Sequence, residues 1–100
     1  MPGTEQQSVS TNLESVRLAM ITEGDLQQAT NRLVAIVRRV EREGFGRNEH
    51  ATREGIDRYI AKGNDAVRKL CDSDAYQEAR YDHLIERFWT IERRALDVTR

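Results

Sequence analysis

The sequence predicts an all-α fold, a four-helix antiparallel bundle that pairs as a dimer. Three observations lead there. Apolar residues recur at steps of three and four through most of the chain, the signature of one-sided helices. Strand alternation and Asn-Gly hairpin signals are missing. The connections between the periodic stretches are short, as between antiparallel neighbours in a bundle.

The 100 residues bound the answer to one domain. Only 38% are apolar and 33% are charged, and the mean hydropathy is −0.74. A core drawn from so small a supply is thin, which favours completing burial against a second copy. The formal net charge of −1 is unlike the basic profile of a typical nucleic-acid binder. The cations are 14 Arg against 2 Lys. Arg suits bidentate contacts and interfaces, although the coding bias of a GC-rich genome is the simpler explanation of the imbalance.

Residues 1–10 are polar and contain Pro2 and Gly3, reading as a flexible tail before a single helical domain over 11–100. The first helix is expected over about 11–22. Thr11 and Glu14 have capping-box spacing. Val9, Leu13, Val16 and Met20 form its seam, with Leu18 and Ile21 on another side of the cylinder. Apolar residues on two sides of a short helix point to burial on both, or to a patch for a partner. Thr22-Glu-Gly-Asp25 reads as a break, with Gly24 as the stop and Asp25 as the next cap.

The second helix is expected over 26–43. Leu26, Ala29, Leu33, Ile36 and Val40 set its spacing, and Val34 and Val37 widen the face enough to touch two neighbours. It belongs at the bundle's centre. Gly44-Phe45-Gly46 ends it. The third helix spans about 49–71 on Ile56, Ile60, Gly63, Val67 and Leu70. Lys62-Gly-Asn-Asp65 is a turn signal inside it, but the unbroken seam favours one helix, with Gly63 as the place where it could kink. Cys71 falls on its apolar side, where a thiol acts as a small hydrophobe.

The fourth helix is expected over 75–98, capped by Asp74 and Gln77. Tyr81, Leu84, Phe88, Ile91, Ala95 and Val98 alternate steps of three and four. Glu92 intrudes among apolar neighbours, with no cation at the spacings that reach along a helix. It is expected either to pair with an arginine from another helix or another subunit or to lie at a frayed, exposed end.

Chemical motifs are scarce. Arg47 and Arg80 stand where a di-iron bundle would carry the glutamate of Glu-x-x-His before His50 and His83. No metal or cofactor site is therefore expected. A phosphate loop is missing, since Gly44-Phe-Gly46 is short and lacks its lysine. Cys71 with two histidines makes a poor nucleophile set in an apolar setting. No catalytic residue is assigned. No window is apolar for long enough to span a bilayer, and no signal peptide is visible, so a cytoplasmic location is expected.

The functional reading is a non-enzymatic protein–protein interaction module. It is a small cytoplasmic regulator or inhibitor that sequesters a partner protein through helical surfaces, as antiactivators and immunity proteins do as classes. The candidate partner or dimer surface is Leu18, Ile21, Tyr76, Tyr81, Phe88, Trp89 and Glu92, because Trp, Tyr and exposed apolar residues dominate binding hot spots. One alternative is a DNA-binding regulator using the Arg38–Arg47 cluster, which interleaved Glu41 and Glu43 weaken. Another is a small helical-dimer enzyme with Glu92 and arginines in a pocket.

Overall fold

A computed structural model of the protein describes residues 2–72 and 78–100, with side chains described at 14, 17–72 and 81–100. Three α-helices account for nearly all of it: α1 over Pro2–Glu43, α2 over Glu49–Cys71 and α3 over Glu78–Val98. A single 3-10 turn, Gly46–Asn48, joins α1 to α2. No strand occurs among the described residues.

The all-helical expectation holds; the helix count does not. The expected first and second helices are one helix of 42 residues, unbroken through Thr22–Asp25. The reason is energetic. A mid-helix glycine costs only about 1 kcal/mol relative to alanine, and Gly24 is in open space with no tertiary strain to add. The Thr22 hydroxyl donates to the Leu18 carbonyl at 2.7 Å, satisfying itself along the helix instead of capping a new one. Gln28, three residues after Asp25, accepts a hydrogen bond from Lys62 of α2 at 2.8 Å. Of the expected 1–10 tail, α1 is traced from Pro2 and the side chains lie outside the described residues.

The α1 stop is where the glycines place it. Gly44 and Gly46 take the left-handed conformation (φ 76° and 67°), which side chains resist. The Gly44 amide donates to the Val40 carbonyl at 2.7 Å. Phe45 folds back against the core beneath the Arg53 guanidinium, 4.4 Å from the ring centre.

Interhelical pairs give the topology. Lys62–Gln28, Gly55–Ile36 and Arg39–Thr52 run in opposite order on α1 and α2, so these two are antiparallel. Asn64–Glu92 and Arg53–Thr99 make α2 and α3 antiparallel. Asn31–Arg87 and Glu41–Arg94 make α1 and α3 parallel. The described chain is an up-down-up arrangement of three helices, with α1 packed extensively on both others.

The core follows the seams. Leu26, Ala29, Leu33 and Val37 of α1 are fully buried against Ile56, Val67 and Leu70 of α2 and Ile85, Phe88, Ile91 and Ala95 of α3. The expectation that the 26–43 segment occupies the centre is met. Thr30 is buried too, and its hydroxyl donates to the Leu26 carbonyl at 2.8 Å. No buried side-chain nitrogen or oxygen among the described residues lacks a partner.

Helix α2 matches its expected bounds and is continuous through Gly63. The glycine is a packing device instead of a break. A Cβ there would overlap the Phe88 ring, reaching even its Cδ2 at 2.7 Å. Phe88 is fully buried and has nowhere to retreat. Cys71 departs from expectation: it is exposed at the end of α2, past Leu70, the last buried residue of the helix. The expected start of the last helix at 75 lies outside the described residues.

Candidate functional site

Helix length creates the candidate surface. At about 1.5 Å per residue, 42 residues of α1 span about 63 Å, matching the long dimension of the molecule, 64 Å. Helices α2 and α3 have 23 and 21 residues, so each is about half as long. The pairings of Thr52 with Arg39 and Lys62 with Gln28 set the register. Continued at the same rise, it brings the end of α2 level with about residue 19 of α1. The N-terminal part of α1 extends beyond the core as an arm.

The base of that arm is apolar on more than one side. Leu18, Met20 and Ile21 are 64%, 59% and 61% exposed, while Ala19 between them is buried. Helical rotation of 100° per residue explains the division. Ala19 lies about 40° from the direction of Leu33, on the core face, and Met20 lies about 140° away. Ile21 is about 120° away in the other sense. Met20 therefore does not continue the Leu26–Val40 seam.

The other candidate residues divide sharply. Tyr81 and Phe88 are buried in the chain's own core. Trp89 and Leu96 are 51% and 49% exposed on the flank of α3 nearest α2. Tyr76 lies outside the described residues. Glu92 is half-buried, and its Oε2 accepts a hydrogen bond from Asn64 Nδ2 at 2.7 Å. The expected arginine partner is replaced by an asparagine of the same chain. Asn64 had local value only as a turn former, so sequence spacing gave no sign of this contact.

The arginines of the 38–47 cluster do not share a face. Arg39 Nη2 reaches Thr52 of α2 at 3.5 Å, and Arg42 pairs with Glu43 at 3.2 Å. Arg38 turns the other way, towards α3. There it lines an open groove with Val34 of α1 and Arg87, Thr90, Ile91 and Arg94 of α3. Arg94 is tied to Glu41 by a two-pronged ion pair, Nε to Oε2 at 3.3 Å and Nη2 to Oε1. That hydrogen bond holds the Glu41 carboxyl below the ordinary glutamate range and raises the Arg94 guanidinium. Arg87 Nη2 donates to Asn31 Oδ1 at 3.1 Å. None of these long-range pairings has a periodic signature, and sequence reading had not singled out the groove.

Among the described residues no group of three or more His, Cys, Asp or Glu converges as a metal site, and no helix is long and apolar enough to cross a membrane. Comparison with protein-family models, curated proteins and solved structures returns no match.

Proposed function

We propose that the protein is a non-enzymatic interaction module, a small cytoplasmic regulator of the antiactivator type that sequesters a partner protein through the α1 arm. The observation that carries this reading is the exposure of Leu18, Met20 and Ile21 where α1 outruns its own core. Leaving three large apolar side chains more than half in water forgoes roughly 1–2 kcal/mol each relative to full burial. Three exposed large apolar side chains at one level of a helix suit a binding surface.

The arm has two tasks in this reading. Val9, Leu13, Val16 and Met20 are spaced by four, three and four, an order that reads the same in both directions. Two antiparallel copies would set Val9 opposite Met20 and Leu13 opposite Val16, a self-complementary two-fold pairing. Leu18 and Ile21 lie off that seam and remain for the target. The target is a protein offering an apolar groove, engaged by helix-in-groove docking.

Light scattering on the full chain tests the first task. Wild type is expected as a dimer and Met20→Glu as a monomer with unchanged helicity. A wild-type monomer at high protein concentration would refute the self-pairing. Leu18→Glu and Ile21→Glu are expected to remain dimeric while losing the proteins that co-purify with wild type. Unchanged co-purification in both would remove the second task.

A further inference from the structure

We propose that the groove between α1 and α3 binds a small organic oxyanion, a carboxylate or phosphate monoester carrying a short apolar group. The groove sits away from the arm and does not depend on the interaction reading. It has a volume of about 260 Å³, slightly below the usual range for drug-sized ligands, which sets the size of the occupant.

Charge sets its sign. Three guanidiniums, Arg38, Arg87 and Arg94, line the groove, although the whole chain carries a net charge of −1. Among the described residues, the carboxylate paired with a lining arginine is Glu41, which the Arg94 fork already engages. Asn31 holds Arg87 without neutralising it. Two positive charges are left over for a ligand. The tethers matter because they fix Arg87 and Arg94 on α3 while leaving further N–H groups on each fork. Less rotamer freedom is then lost when an anion arrives.

The floor sets its shape. Val34 and Ile91, one from each helix, supply apolar surface between the arginines. Thr90 completes the lining; its hydroxyl proton is committed to the Glu86 carbonyl at 2.9 Å, so the guanidiniums alone donate to the anion. Arg38 extends from α1 and, apart from its attraction to Glu41, is the guanidinium freest to close on the anion. An inorganic ion would satisfy the charges and waste the floor. An uncharged apolar molecule would meet three cations.

Titration of the full chain followed by amide NMR shifts provides the test, with phenyl phosphate, benzoate, inorganic phosphate and benzyl alcohol as probes. Phenyl phosphate or benzoate is expected to give saturable shifts at Val34, Thr90 and Ile91. The stronger of the two identifies which oxyanion the groove prefers. Inorganic phosphate should bind about tenfold more weakly, as expected for losing roughly 1.4 kcal/mol of apolar contact. Benzyl alcohol should not bind. Arg38→Gln removes one charge-assisted contact and should weaken binding by about 10-fold or more, whereas Arg58→Gln, on α2, should leave it unchanged. Absence of saturable shifts with both organic anions would overturn the proposal. So would an Arg38→Gln variant that binds like wild type, or equal losses in Arg38→Gln and Arg58→Gln.

Discussion

Helix α1 contains two regions with similar apolar content and opposite fates. From Leu26 to Val40 its seam is sealed by α2 and α3. Around Leu18 to Ile21, less than two turns earlier, three large apolar side chains are more than half exposed. Intrinsic helix propensity cannot separate them, since both regions are helical. The difference is direction around the cylinder: α2 still reaches the level of residue 19, where Ala19 is buried, but Leu18, Met20 and Ile21 project away from the core face. An apolar stripe becomes core only where the chain supplies something to cover it.

The largest effect that separates the regions is truncation of one leucine in each. Leu33→Ala should destabilise by about 2–5 kcal/mol, through lost transfer energy and an unfilled cavity. Leu18→Ala should change stability by less than about 0.5 kcal/mol when the protein is dilute enough to be monomeric. Denaturant midpoints for the pair measure this directly. A large loss at Leu18 in the monomer would place that residue in an intramolecular core and erase the distinction.

A pair of glycines sharpens the same contrast with smaller effects. Gly63→Ala gains about 1 kcal/mol in helix propensity, yet the added methyl collides with a ring that is boxed in on all sides. Overpacking of this kind costs typically about 1–3 kcal/mol, so a net loss is expected in urea titrations. The combination of Gly63→Ala with Phe88→Leu should recover part of it. Gly24→Ala has the opposite sign. Its new methyl meets nothing within 4 Å, and the variant should be more stable by about 0.5–1 kcal/mol. A destabilised Gly24→Ala would indicate that Thr22–Asp25 is a turn.

Much of this fold was legible because it depends on local signals that agree with one another. The three-four spacing located α2 over Glu49–Cys71, and the pair Gly44 and Gly46 located the stop before it. The width of the Leu26–Val40 face correctly implied two neighbours. The error at Thr22-Glu-Gly-Asp25 has a simple cause: a turn signal there is worth about 1 kcal/mol, and a continuous helix overrode it, as it did at Lys62-Gly-Asn-Asp65, where continuity was expected. Gly63 is explained only by a ring arriving from α3. Glu92 pairs with Asn64, 28 positions away, and no spacing rule reaches that far. The α1/α3 groove was invisible for the same reason. Arg38 was grouped with its sequence neighbours, whereas its spatial companions are Arg87 and Arg94.

The order of the helices also has a consequence for how the protein is made. Helix α1 emerges from the ribosome first and complete, while the two helices that cover its core seam occupy the last half of the chain. At about 5–20 residues per second, the final turn of α3 follows the end of α1 by roughly 3–11 s. During that interval both seams of α1 are bare, and Leu33 is as accessible as Leu18. Under the self-pairing proposed above, two nascent chains on one message would meet arm to arm before either has a core, and assembly would precede folding in time.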